Sequence, residues 1–318
     1  MKKYIIKNRY VSIGLNVEDD IDIESIKFYL GPYVKIDKYN NEILDYTLNF
    51  FYNISKLNDF FIDNHFCCCN DKELSIKIES RDEEILFIKR VIIDIINRIF
   101  ESKGGLFLHA SSIVDDGNTT IILGEKGAGK TTNMLYILDS SDMQYSSNER
   151  TGIILADGVK TYGNPARINI RANSLAGNQS LRNKLIGCID YAEYEKQLSL
   201  SLPCNCSERL LLSLDDVTRC LKTTINPYGT LKNIINLKKT LRKEFEYEEV
   251  QYLDIEPDLR RSIIPGIYPI RYKLNEVIPV YDSSLDILNS NDVHYYNIHH
   301  NSHGNNSEEI IKLIRRGY

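Results

Sequence analysis

Thr119-Thr120-Ile121-Ile122-Leu123-Gly124-Glu125-Lys126-Gly127-Ala128-Gly129-Lys130-Thr131-Thr132 is the stretch that decides the fold. Thr119 to Leu123 is apolar and β-branched, as in a strand buried in a central sheet. Lys130 to Leu138 then begins a helix. Between them, Gly124 to Thr131 satisfies G-x-x-x-x-G-K-[ST] at every fixed position. The glycines admit left-handed turns and let backbone N–H groups approach an anion without a Cβ in the way. The helix behind the loop directs its positive end at the same anion. Lys130 has the reach for β- and γ-phosphates, and the Thr131 hydroxyl suits magnesium. By chance the octet arises in about one chain in a hundred of this length, and the strand before and helix after are both present. Gly124, Lys126, Gly127, Ala128, Gly129, Lys130, Thr131 and Thr132 are therefore read as the site of a nucleoside triphosphate, ATP or GTP, with Mg²⁺.

A P-loop does not name the reaction, because GTPases, ATPases, kinases and decarboxylating kinases share it. The acid partners must decide, and two segments offer them. Ser147-Asn148-Glu149-Arg150 lies just before a hairpin signalled by Asp157-Gly158, with Thr151 to Ala156 and Val159 to Tyr162 as its arms. Asp215-Asp216 ends the apolar run Leu210 to Leu214 in the manner of an ordinary Walker B strand.

The order of Leu108-His109-Ala110-Ser111-Ser112, a strand, the P-loop, the Ser147 to Arg150 tetrad, the hairpin and Gly163-Asn164-Pro165 resembles HPr kinase/phosphorylase. It is similar as well to the HPr-kinase-like enzymes of peptide natural-product pathways. Their fold is shared with phosphoenolpyruvate carboxykinase. The resemblance covers roughly residues 105 to 172, with a vaguer likeness from Pro269 to Tyr281, and leaves out the N-terminal block. In that family a histidine lies on the strand before the P-loop strand, and an Ala-Asp-Asp-Arg-like tetrad follows the P-loop helix. His109 matches the first; Ser147 to Arg150 matches the second, with Asn148 and Glu149 in place of the two acids. The resemblance thus implies catalytic roles for Glu149, Asn148 and His109. One family acid binds the metal and the other is the base toward the substrate hydroxyl. Here only Glu149 can ionise, so it is the candidate for either role, base or Mg²⁺ ligand. Asn148 can coordinate through its carbonyl oxygen but accepts no proton at neutral pH. His109 would orient the γ-phosphate or the incoming hydroxyl; a strand-end histidine satisfied by backbone is the alternative.

Arg150 pairs with Glu149 or with nucleotide on this reading. Arg167 and Arg171 alternate with Ile168 and Ile170, so they share a strand face, as a phosphate clamp or as solvated charges. The implied function is an ATP/Mg-dependent transferase, an HPr-kinase-like kinase that phosphorylates a hydroxyl of a peptide, a protein or a small metabolite. HPr itself is not the expected acceptor, because the family's substrate loops for it are not recognisable. The alternative is a nucleotide-binding NTPase or partner protein without efficient transfer, using Asp215 as its acid or disabled at Asn148.

The rest of the chain bounds these readings. Its 318 residues, 42% hydrophobic, allow two compact domains. A net charge of -5 argues against a nucleic-acid partner. The basic stretch Lys232 to Lys243 has Ile234, Ile235, Leu237 and Leu241 at roughly helical spacing and reads as a solvated helix face. No window has the ~18 apolar residues of a membrane helix, and Met1-Lys2-Lys3 opens no signal-peptide pattern. A cytoplasmic protein without a membrane partner is expected. Seven cysteines, an odd number, suggest free thiols. Cys67, Cys68 and Cys69 would diverge on a strand, and Cys204-Asn205-Cys206 is tighter than structural zinc spacing. His294, His299, His300 and His303 stand among Asn and Ser in what reads as a mobile tail.

The expected fold is α/β. A P-loop kinase core of the HPr-kinase/PEP-carboxykinase type takes residues 104–288, a small N-terminal α+β module for scaffold or substrate recognition takes 1–103, and a polar tail takes 289–318. Beyond Asn173 the pattern is mostly helical, with strands at Leu210 to Leu214 and around Ile267 to Val280. Self-association is compatible with all of this.

Overall fold

The computed structural model describes residues 1–30, 34–52, 60–62, 65–70, 72–78, 84–164, 168–171, 178–188, 209–240, 245–264, 285–289, 292–300 and 306–316. They form a mixed α/β protein with two large mixed sheets. The chain divides into compact units, one of Met1–Leu106 and one of Phe107–Ile264 with Ser284–Tyr318. Residues 265–284 lie outside the described set, and with them the strand expected around Ile267 to Val280 and the likeness from Pro269 to Tyr281.

The first unit runs β1 (Lys2–Lys7), β2 (Ser12–Val17), α1 (Ile23–Leu30), β3 (Lys35–Lys38), β4 (Tyr46–Phe51), β5 (Phe60–Ile62), β6 (His65–Asn70), β7 (Glu73–Lys77) and α2 (Glu84–Ser102). The sheet order is β3-β1-β2-β4-β7-β6-β5. β2, β4 and β7 are mutually parallel, and the flanking pairs are antiparallel. Strand alternation sorts the residues. Ile13, Leu15 and Val17, with Tyr46, Leu48, Phe50, Leu74 and Ile76, are buried on one face. The other face carries amides in register, where Asn16 Nδ2 donates to Asn49 Oδ1 at 2.7 Å and Asn49 Nδ2 donates to Ser75 Oγ at 3.0 Å. Cys67, Cys68 and Cys69 fall on β6, the first buried and the others half-buried.

The second unit contains β8 (Leu106–Leu108), β9 (Ser111–Asp115), β10 (Asn118–Gly124), α3 (Lys130–Ser140), β11 (Gln144–Ser147), β12 (Thr151–Ala156), β13 (Gly158–Gly163), β14 (Ile168–Arg171), α4 (Gln179–Cys188), β15 (Arg209–Leu212), α5 (Leu214–Leu221), β16 (Tyr228–Lys239), β17 (Glu246–Val250), α6 (Tyr252–Ser262), β18 (His294–His300) and α7 (Ser307–Arg316). Its sheet has the order β11-β9-β10-β16-β13-β12-β8. β16 forks: its first residues pair with β13, and Asn233 to Lys239 pair with β18, which carries β17 on its far side. β10, β16 and β18 are parallel, so their C-terminal ends lie on the side where β10 enters the glycine loop. Ile122, Ile235, Leu237, Tyr296 and Ile298 pack with α3, α4, α5 and α7 in one apolar cluster. α6 packs against β10 and β18 instead.

Two expectations of secondary structure for this unit need correction. The stretch 232–243, expected as a solvated helix, is mostly the long strand β16, with Leu231, Ile234, Ile235 and Leu237 all buried. A strand in the middle of a parallel sheet is covered on both faces, so it shows no period-two alternation and its apolar residues mimic helical spacing. The segment 289–318, expected as a mobile tail, supplies β18 and α7. Its buried amide Asn297 is paired: Asn236 Nδ2 donates to Asn297 Oδ1 at 3.2 Å, and Asn297 Nδ2 donates to Glu248 Oε1 at 3.1 Å.

Cys220 is buried and disulfide-bonded, against the expectation of free thiols. An odd count requires one unpaired cysteine, not seven. No described helix is long and apolar enough to cross a membrane.

Candidate functional site

The site grows from the end of β10. Gly124 has φ 144°, Gly127 φ 88° and Gly129 φ 91°, backbone angles that L side chains rarely adopt. At Gly124 a Cβ would also stand 2.8 Å from the Leu237 carbonyl oxygen. The loop is tied on itself. Ala128 N donates to Glu125 O at 3.0 Å, and Lys130 Nζ donates to Gly124 O at 2.6 Å. Gly129 is the N-cap of α3, and its carbonyl accepts from both Asn133 N at 2.8 Å and Asn133 Nδ2 at 3.0 Å. The first N–H groups of that helix have no partner within it and face the loop. Lys126 is exposed, Thr131 half-buried, and Ala128 and Thr132 buried.

The tetrad after β11 meets this loop. Thr131 Oγ1 donates to Asn148 Oδ1 at 2.8 Å, and Asn148 is buried. Ser111 Oγ, from β9, donates to the Asn148 carbonyl at 3.0 Å and holds the residue in place. Ser147 Oγ closes the turn, donating to Arg150 O at 2.6 Å and accepting from Arg150 N at 3.2 Å. Thr151 Oγ1 donates to Ser112 Oγ at 3.0 Å. Ser111 thus holds the tetrad itself, while Ser112, adjacent and so on the opposite sheet face, holds Thr151 directly after it.

Glu149 is exposed beside these buried neighbours. Its carboxylate acts electrostatically on both Lys130 and His109. His109 follows β8, its N–H bonded to Ser262 O at 2.7 Å and its ring open to solvent. The protein around it still lowers its basicity: partial burial holds the imidazole below the usual histidine range, Lys130 adds to this, Glu149 opposes it and Arg150 adds again. Burial likewise pushes the Lys130 ammonium below the usual lysine range, with Glu149 pulling the other way. The structure therefore brings His109, Lys130, Glu149 and Arg150 into one electrostatic neighbourhood.

It does not bring in Asp215 and Asp216. β15, which precedes them, pairs only with β14 among the described strands, outside the central sheet. Asp216 is committed to the N-terminus of α5: its Oδ2 accepts from Ser213 N at 2.9 Å and from Ser213 Oγ at 2.7 Å, while Asp216 N donates to Ser213 Oγ at 3.0 Å. That is a helix-capping box. Asp215 is exposed on the same turn. Arg167, Pro165, Cys204, Cys206 and His303 lie outside the described residues, as does the side chain of Arg171. Among the described residues no three of His, Cys, Asp and Glu gather as a metal site.

Three participants were not legible beforehand. Ser111 belongs to a quoted segment, but nothing in it signals a hydroxyl aimed at Asn148. Arg261, at the end of α6, pairs with Asp258, whose Oδ2 accepts from the buried Asn236 at 2.6 Å, and it feels the Glu125 charge at the loop. His300 is buried with its Nε2 2.8 Å from Ala128 O. A scan against protein-family models finds no match for this chain, and a search of the curated proteins finds none.

Proposed function

We propose that this chain binds ATP, or GTP, with magnesium at residues 124–132 and transfers a phosphoryl group to a hydroxyl of a peptide, a protein or a small metabolite, in the manner of an HPr-kinase-like phosphotransferase. The observation that carries the reading is the 2.8 Å bond between Thr131 Oγ1 and Asn148 Oδ1. It favours residues 147–150 over 215–216 as the partner of the P-loop.

Magnesium takes oxygen ligands at about 2.0–2.1 Å in an octahedron, which sets adjacent ligand atoms about 3 Å apart. The Thr131 and Asn148 oxygens fit that donor type and spacing. Bound there, the ion would neutralise charge on the β- and γ-phosphates. The chain's own groups supply the remainder. Loop N–H groups and Lys130 hold the phosphates, which replace Gly124 O as the ammonium's partner. Glu149, exposed next to Asn148, takes the proton of the acceptor hydroxyl. His109, mostly neutral at pH 7, offers a hydrogen bond that orients the hydroxyl or the γ-phosphate.

The test is incubation with ATP and magnesium and a set of hydroxyl-bearing peptides and metabolites, read by mass spectrometry. A gain of one phosphoryl group is expected. Glu149→Gln should reduce it about 100- to 10,000-fold with nucleotide still bound, and Lys130→Ala should remove both. Full turnover in Glu149→Gln would overturn the assignment of the base. The second reading is a nucleotide-binding NTPase or partner protein, motivated by the amide at Asn148; hydrolysis or tight binding with no phosphorylated acceptor would favour it.

A further inference from the structure

We infer that His300 is a positioning residue for the phosphate-binding loop: it aims the Gly129 N–H into the loop by holding the Ala128 carbonyl, and so sets the affinity for nucleoside di- and triphosphates without touching them. The inference rests on the reading of residues 124–132 as a nucleotide site.

Strand parity places the ring. Tyr296, Ile298 and His300 alternate along β18 and share the sheet face on which α3 packs. β18 runs parallel to β16, and β16 to β10, so His300 ends at the edge where the glycine loop begins. Its backbone is fixed there, with His300 O accepting from Thr240 N at 3.0 Å. The residue is 1% exposed and its Nε2 stands 2.8 Å from Ala128 O. A carbonyl oxygen can only accept, so Nε2 carries the hydrogen.

The consequence follows from peptide geometry. The unit joining Ala128 to Gly129 is planar and trans, so its C=O and N–H point in opposite directions. Drawing the Ala128 carbonyl onto the imidazole turns the Gly129 N–H the other way, toward the phosphate side of the loop. Gly129 is the N-cap, and no helical carbonyl competes for that N–H. The next carbonyl is held as well, by Asn133, which leaves the two peptides little freedom to rotate. The absence of a side chain at Gly129 also makes room for the ring, because a Cβ there would lie 3.3 Å from His300 Cε1. A residue needed only to fill this space would be apolar, as Ile298 is on the same face. An imidazole that donates to the loop does more than pack.

The test uses the full chain and compares His300→Phe, which keeps a ring and removes the donor, with His300→Gln, which keeps a side-chain N–H. Fluorescent ADP and ATP analogues with magnesium report affinity, and thermal unfolding without nucleotide reports stability. His300→Phe should weaken both nucleotides by about tenfold or more, the scale of one hydrogen bond to a charged group. The loss should be similar for ADP and ATP, because the backbone cradle holds phosphates that both carry. His300→Gln should recover most of the affinity. Wild-type affinity in His300→Phe, with binding still lost in Lys130→Ala, would overturn the inference alone. So would equal losses in the Phe and Gln variants, or a loss matched by a lowered midpoint of unfolding, since either marks a packing role. Absence of nucleotide binding by the wild-type chain would instead remove the reading on which the inference stands.

Discussion

At the scale of single residues, the proposed reading would have Asn148 and Glu149 divide the work of a pair of acids. Asn148 is buried and bonded to Thr131 and Ser111, a place where an amide oxygen can serve a cation and a neutral group is cheap to bury. Glu149 stays at the surface, within reach of solvent. His109 is the reporter of this arrangement. Its ordinary pKa of 6.5 is lowered by burial and by Lys130 and Arg150, and raised by Glu149. Titrated by NMR, His109 should show a midpoint below 6.5. Glu149→Gln should move it further down, since an attractive charge is lost, and Lys130→Ala should move it up, since a repulsive one is lost. Because the folded value is the lower one, His109 costs no stability above pH 6.5 and weakens the fold as pH falls below that value. A midpoint indifferent to both substitutions would place the ring away from Lys130 and Glu149.

Elements decide which acids reach the loop. β9 lies between β11 and β10, so Ser111 sits one strand away from the P-loop strand and one from the tetrad. α5, by contrast, uses Asp216 for itself. Ser213 and Asp216 form reciprocal bonds around its first turn, and Asp216 also binds Arg219 at 2.9 Å. Ser213→Ala should cost about 1 kcal/mol in urea unfolding, the usual worth of an N-cap. Asp215→Asn should leave the magnesium dependence of nucleotide binding unchanged; a shift there would revive the Walker B reading. The strand–loop–helix of residues 118–140 and the hairpin of β12 and β13 were legible from their residues, because glycine chemistry and an Asp-Gly turn are local signals. β16 was not: its burial on both faces comes from α3 and its neighbours on one side and from α6, which meets it through Asp258 and Asn236, on the other, and none of these lies within the strand's own stretch of sequence.

For the whole second unit, the segment from 294 onward is structural. Tyr296, Ile298, Ile310, Leu313 and Ile314 all belong to the core around α3. Ile298→Ala should cost about 2–5 kcal/mol, the range for truncating a fully buried aliphatic side chain. Removal of residues 294–318 should abolish the cooperative thermal transition of this unit, followed by circular dichroism. A cooperative transition at the wild-type temperature after that deletion would show the segment to be an appendage after all. The polar character of β18 served prediction poorly because composition reports the cost of burying an amide or imidazole, and a partner across the sheet offsets that cost.

What the sequence determined by itself is the part of the protein whose chemistry is written in consecutive residues. Gly124 to Thr132 can adopt its loop only because glycines stand at the left-handed positions, and Lys130 and Thr131 follow at fixed spacing. The tetrad and His109 were visible as candidates through a resemblance in order. Tertiary structure alone decided which candidates meet. It paired Thr131 with Asn148, spent Asp216 on a helix cap, and carried His300 across 172 positions of sequence to the Ala128 carbonyl. The reason is physical: a hydrogen bond between distant residues depends on strand order, register and face, and these are fixed by burying the whole sheet at once.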